Sequence, residues 1–190
     1  VDGNPVELSV NEDAATAAIV FKTVADPFIG RLSYVKVISG KVSTETPLLN
    51  MRTGETERIG KTVMLCGKKQ EDVKYIPAGD IGAIPKLTGT LTGDTLCSPA
   101  RKVVLEGIEY HNATLSMAIL PKKKGEEDKV AQGIFRLMEE DPAIRFENNT
   151  ETHQMVVSGL GEQHLDVLVS RLKSKFGVEV TLEKPRVAYR

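Results

Sequence analysis

The chain has no tryptophan, only two cysteines, and aromatic residues at 5% of its 190 positions. So few rings, and no K/R-G-F/Y-G/A-F-V signature, argue against base stacking as a mode of RNA recognition. Cys66 and Cys97 stand alone without CxxC spacing, so neither a zinc site nor a disulfide framework is indicated. Both are expected to be buried free thiols, which fits a reducing compartment. No apolar run approaches the roughly 18 residues of a membrane span, and no charged-apolar-small series opens the chain, so neither a span nor a secretory leader is expected. Neither sign of charge dominates: 25 Lys and Arg against 26 Asp and Glu leave a net charge of −1. Global charge therefore gives no reason to expect nucleic-acid binding, and only a local basic patch could supply it. An initial methionine is also absent, and Val1 is expected to be an internal or processed start, making the chain a piece of something longer.

A phosphate-binding loop is missing as well. Gly60-Lys61-Thr62 would end one, but the glycine it requires falls at Glu55, with Gly54 one residue too early. The surroundings read as strand rather than strand-loop-helix, and no other Gly-Lys-Ser/Thr triplet exists. His111, His153 and His164 lack HExxH spacing, so Glu162 with His164 is expected to serve structure rather than bind metal or move protons. Ser158 has no nucleophile-elbow flanks. No catalytic residue, metal or cofactor is expected in this chain.

What is present divides near residue 104. From Ala14 to about Val104 short β-rich runs alternate with turn signals at the spacing of a barrel or sandwich: AATAAIVFKTVA, RLSYVKVISG, TPLLNM, TERIGKTVML, DIGAIPKL and TLCS. Leu32 and Tyr34, then Val35, Val37 and Ile38, mix alternation with continuous apolarity, as in a strand buried on both faces of a closed barrel.

Residues 105–190 read differently. Leu115, Met117 and Ile119 define a strand ending at Pro121, followed by the basic loop Lys122, Lys123, Lys124. Val130, Ile134, Leu137 and Met138 form the apolar stripe of a helix, which Asp141-Pro142 ends. Two strands, Ile144 to Asn148 and Gln154 to Ser158, flank a polar turn. Leu165, Leu168, Val169, Leu172 and Phe176 then line one face of a second helix, with Glu162 and Asp166 in its first turn and Lys173 and Lys175 near its end. Gly177 is placed as its left-handed cap, and Val178, Val180 and Leu182 alternate as a last strand. Strand, helix, strand, strand, helix, strand is the split βαβ, or ferredoxin-like, plan. The expected architecture is thus a multi-domain β plus α+β chain, with a β-barrel over 1–104 and a ferredoxin-like α/β sandwich over 105–190.

Arg52, Arg58 and Lys61 flank the Thr53-Gly54 turn, and Lys68 and Lys69 sit at the next one, so a barrel edge can present all five to phosphates. The same residues fit a solvated turn equally well. A small phosphate-processing enzyme on the ferredoxin-like plan is the rival reading, supported by fold analogy alone.

Two groups of residues carry a resemblance. AAIVFKTVADPFIGRLSYVKVISGKV, ERIGKTVML, PAGDIGAIPKL and TGDTLCSP resemble the second, β-barrel domain of elongation factor G and related translational GTPases. EGIEYHNATLSMAILPKKKGEEDKV, RLMEEDPAIRF, SGLGEQHLDVLVSRLKSKFGVEV and KPRVAYR resemble the third domain of that family, so the likeness covers essentially the whole chain in family order. It implies a cytoplasmic factor of translation elongation that works on the ribosome, with GTP and Mg²⁺ held by a G domain preceding Val1 and two further domains after Arg190. It also implies partners: small-subunit rRNA for the barrel, at Arg58, Lys61, Lys68 and Lys69 with Arg52 at the margin, and a small-subunit protein and neighbouring domains for the second half. Gly159, Gly161, Glu162, His164, Leu165 and Asp166 match the family's Gly-x-Gly-Glu-x-His-Leu-acid block, whose implied role is to shape a turn that neighbouring domains contact. Gln163 stands where the main factor has an apolar residue, and His111-Asn112-Ala113 lacks its usual prolines, which is similar to a divergent elongation factor G-like branch. Ribosomal protection proteins of the tetracycline-resistance type share the architecture and remain an alternative.

Overall fold

The computed structural model describes residues 5–26, 30–44, 46–67 and 69–187. Lys68, Pro27 to Ile29 of the DPFIG block and the last three residues of KPRVAYR lie outside them. The chain forms two units, Val1–Ile108 and Glu109–Arg190.

The first unit is all β: β1 (Ala17–Asp26), β2 (Gly30–Ser39), β3 (Lys41–Ser43), β4 (Leu48–Asn50), β5 (Thr56–Glu57), β6 (Thr62–Cys66), β7 (Lys69–Val73), β8 (Tyr75–Pro77), β9 (Ile81–Pro85) and β10 (Thr95–Cys97). Eight of them form one antiparallel sheet in the order β5-β4-β10-β1-β2-β9-β6-β7, and β3 pairs with β8 as a separate ribbon. The sheet and the ribbon share one core, in which Val20, Val35, Leu48, Leu96 and Ile84 meet Val42 and Ile76. Burying each such side chain contributes about 1.5–3 kcal/mol. Among the described residues no ladder joins β5 to β7, so packing around this core, rather than a continuous ring of hydrogen bonds, completes the barrel.

Strand β2 is covered on both faces: Val35 and Val37 enter the main core, while Leu32 and Tyr34 pack with Val63, Ala83 and Leu65 in a second cluster. That double burial explains its nearly continuous apolarity. The run TERIGKTVML, by contrast, is two strands separated by residues 58–61. Strand β7, with sequence KQEDV, carries no apolar alternation because four of its five residues are exposed. Cys97 is buried as expected, but Cys66 is exposed, since it closes β6 beside the Gly67 turn.

The second unit has β11 (Leu115–Pro121), α1 (Glu127–Glu140), β12 (Arg145–Asn149), β13 (Gln154–Gly159), α2 (Glu162–Phe176) and β14 (Val180–Glu183). The sheet order β12-β13-β11-β14 is that of the ferredoxin-like plan. Val130, Ile134 and Leu137 of α1 and Leu165, Leu168 and Leu172 of α2 enter one core with Ile119, Val157 and Val180, so both helices lie on one face of the sheet. Gly177, at φ 65°, caps α2 through its N–H to the carbonyls of Leu172 and Lys173. Near it Glu179 accepts hydrogen bonds from Lys173 and Lys122, which hold its carboxyl below the usual range and raise the Lys173 ammonium. No helix among the described residues is long and apolar enough to cross a membrane.

Gly40 links β2 to β3 at φ +70°, and a Cβ there would lie 2.7 Å from the Ala14 carbonyl oxygen and the Thr16 Cα, both backbone. Gly40→Ala is expected to destabilise the first unit by about 2–4 kcal/mol, since neither contact can move like a side-chain end. Urea denaturation checks this, and an unchanged midpoint refutes it.

Candidate functional site

Strands β4 and β5 form a hairpin with Leu48 opposite Glu57 and Leu49 opposite Thr56, and its turn carries Arg52, Thr53 and Gly54. The Asn50 Oδ1 accepts the backbone N–H of Arg52 at 2.9 Å and of Thr53 at 3.3 Å, which shapes the turn locally. On its other side Asn50 Nδ2 donates to Asp94 Oδ2 at 2.8 Å and to Thr90 Oγ1 at 3.2 Å. Arg52 closes the ring: Nε donates to Asp94 Oδ1 at 2.6 Å, and a terminal nitrogen donates to Asp94 Oδ2 at 2.9 Å and the Gly89 carbonyl at 2.6 Å. Glu57, itself buried, accepts from Gly89 N and Thr90 Oγ1, each at 2.9 Å. The loop of residues 88–94 is thereby bolted to the hairpin through two buried carboxylates.

Burial pushes the Asp94 carboxyl up, but hydrogen bonds from Arg52, Asn50 and the Leu91 N–H outweigh that and hold it below its ordinary value. The bond to Asp94 correspondingly raises the Arg52 guanidinium, against a smaller opposing effect of burial. Arg52 is thus a structural partner of the loop, with its charge matched at close range.

Arg58 and Lys61 lie elsewhere on the unit. Both are exposed just after β5 and line one cleft of about 510 Å³ with Gln70, Pro85 and Lys86. Arg58 also lines an adjoining hollow with Thr44, Thr46 and Pro47. Lys61 reaches Asp72 at 2.8 Å across water-exposed surface, a contact worth little net energy. Lys69 opens β7 beside Gln70. Lys86 was not singled out in the sequence, yet the structure brings it beside Arg58 and Lys61 with a left-handed φ of 62°. Lys86 lies in the run DIGAIPKL, but nothing in that run marks it as a neighbour of Arg58 and Lys61 before folding. Three cations around one cleft form a surface suited to phosphate oxygens.

In the second unit the turn from β13 into α2 is built around His164. The Leu160 N–H donates to its Nδ1 at 3.0 Å, which leaves Nε2 to donate to Asp141 Oδ2 at 2.9 Å. Asp141 is the C-cap of α1, so one imidazole joins the start of one helix to the end of the other. Burial, then the negative charge of Asp141, pushes the nearby Tyr110 hydroxyl up. Gly159 leaves room for the ring, since a Cβ there would stand 3.0 Å from His164 Nδ1 and from Leu165 Cδ2. Leu165 is buried in the core, whereas Glu162, Gln163 and Asp166 are exposed and the Leu160 side chain is 45% exposed. The histidine's partners are therefore Leu160 and Asp141 rather than Glu162. Gly161 is extended at φ 167°, a conformation open to any residue.

The structure thus joins a β-barrel to a split βαβ unit, and sequence comparisons give that pair of domains its family. The elongation factor G domain 2 model matches residues 15–99, and the Elongation Factor G, domain III model matches residues 112–184. The chain belongs to the elongation factor G family and carries its domains II and III. An elongation factor G of Dehalococcoides mccartyi strain ATCC BAA-2266 is 43% identical over 188 residues, 99% of this chain and 27% of that protein. The elongation factor G of strain BAV1 is 42% identical over the same shares. The chain thus spans about a quarter of the length of these curated relatives. A crystal structure of a Thermus thermophilus protein superimposes with a TM-score of 0.81 at 28% identity, covering 92% of this chain and 26% of that one.

Asp94 has a lower pKa folded than unfolded, so its stabilising contribution is present above the ordinary carboxylate range and lost as pH falls through the lowered value. Stability of the first unit is expected to decline below about pH 4. Asp94→Asn should cost about 1–3 kcal/mol at pH 7 and flatten that acid slope. Denaturation midpoints measured from pH 7 to pH 3 check it; parallel slopes for both proteins count against the assignment.

Proposed function

We propose that this chain is the ribosome-binding, non-catalytic part of an elongation factor G-like translational GTPase acting in the cytoplasm. On this reading GTP and Mg²⁺ belong to a G domain outside the chain, and the two units relay its nucleotide state into movement on the ribosome. The observation that carries the reading is the gathering of Arg58, Lys61 and Lys86 around one cleft of the barrel. Such a surface holds RNA through its backbone phosphates, which suits a chain with few aromatic residues. Lys69 pairs with Cys66 at the far end of the neighbouring ladder and does not line this cleft, so its part in RNA binding rests on the family likeness. Arg52 contributes by holding the loop of residues 88–94.

In the second unit, the exposed Leu160, Glu162, Gln163 and Asp166 sit on a turn that His164 fixes, and this turn is the surface offered to neighbouring domains and to a small-subunit protein. Gln163 and His111-Asn112-Ala113 support placement in a divergent branch of the family.

The test is ribosome binding by the full-length parent. Affinity should fall steeply with salt, and Arg58→Glu with Lys61→Glu should weaken it and lower the log-log salt slope by about one per phosphate contact removed. Binding that ignores salt, or a double reversal that leaves both affinity and slope unchanged, overturns the reading.

A further inference from the structure

The sheet of the second unit is not zipped to its end. The ladder between β11 and β13 runs from Leu115 opposite Gly159 to Ala118 opposite Val156 and stops there. Beyond it Ile119, Leu120 and Pro121 pair with Leu182, Thr181 and Val180 of β14. Met155 and Gln154, which would face them, pair with Asn148 and Asn149 of β12. Among the described residues the two strands therefore part over their last residues, each keeping its outer neighbour. Pro121 has no N–H to extend the ladder, and the adjoining His153 turns the chain away in a left-handed conformation at φ 51°.

The parting opens a cleft of about 500 Å³, whose other wall is the first half of α1. That volume lies in the range of sites for drug-sized ligands, roughly 300–1,000 Å³. Its walls are mainly apolar, from Ile119, Ala131, Met155 and the pair Phe135 and Phe146, whose rings meet edge to face at 5.4 Å, with Asn148, His153 and Gln154 adding polar groups at the strand ends. Phe135 is 55% exposed and leaves part of its ring open to the cleft. Glu127 and Asp128 stand at the rim, both exposed and without an ion-pair partner among the described residues, and no lysine or arginine lines the cleft.

We propose that this cleft receives a short extended segment of a protein partner, in which apolar residues are flanked by lysine or arginine. Free strand edges inside the gap offer main-chain hydrogen bonds to an extended peptide, which a small organic amine cannot match. The apolar walls take its side chains, and the acidic rim favours its cations while repelling nucleic-acid phosphate. The cleft lies in the second unit and does not depend on the basic barrel surface.

The experiment follows backbone amide resonances of the ¹⁵N-labelled chain as Ac-Lys-Val-Phe-Lys-Lys-amide is added. Shifts concentrated at residues 119–120 and 153–155 are expected. Replacing the rim acids, Glu127→Gln with Asp128→Asn, should weaken binding about fivefold. Ala131→Trp should fill the cleft and abolish the response; the rim variant, altered only on the surface, decides the matter if the tryptophan protein fails to fold. Arg58→Glu should leave the response intact, which separates this site from the barrel patch. The proposal is overturned if the peptide leaves those resonances unmoved, or if its Glu-for-Lys counterpart binds equally well. It is also overturned if phenethylamine alone reproduces the shifts at equal affinity, or if they follow chain concentration and so report self-association.

Discussion

The carboxylate of Asp94 is the point from which the first unit is organised. It is 5% exposed, and it survives ionised inside the barrel because Arg52, Asn50 and the Leu91 N–H together replace the water it has lost. A buried charge with most of its lone pairs matched is costly to disturb and permits few arrangements, so the hairpin and the loop of residues 88–94 take a fixed relation to one another. Arg58 follows directly on that hairpin, and Lys86 stands two residues before that loop. Their convergence is thus a consequence of a network in which neither takes part. Arg31 adds to the bracing by donating to the carbonyls of Thr88 and Thr90, each at 3.2 Å.

The second unit solves the same problem with an imidazole. At His164 each ring nitrogen has one complementary partner, a backbone donor on one side and a carboxylate acceptor on the other. The glycine at 159 is what admits the ring. In both units, therefore, a polar side chain contacting two segments fixes an exposed loop, while the apolar core beneath supplies most of the stabilisation.

Much of this was legible in the sequence. Strands such as β2, and both helices with their stripes and the Gly177 cap, carry strong periodic signals, and the family blocks gave the order of the units. Strands β3, β7 and β8 did not show, since β3 and β8 have three residues each and β7 is polar along nearly its whole length. Pattern reading also grouped Arg52 with Arg58 and Lys61 because all three flank one turn, whereas the fold turns the Arg52 guanidinium onto Asp94, a partner 42 residues away. Asp94 and Glu57 have no local signature, since their partners come together only through long-range pairing. The same holds for Lys86, whose significance lies wholly in what folding places beside it.

Among the described residues, the ladder that ends at β5 on one side and β7 on the other leaves the sheet with two free edges. One is only two residues long, and the other presents Lys69, Gln70, Glu71 and Asp72 to water. A short border and a charged, polar one are poor templates for another chain's strand. The polar stretch that hid β7 from pattern reading is thus what guards an incompletely ringed sheet against adding strands from its neighbours, which lets the barrel remain open at a seam without becoming adhesive there.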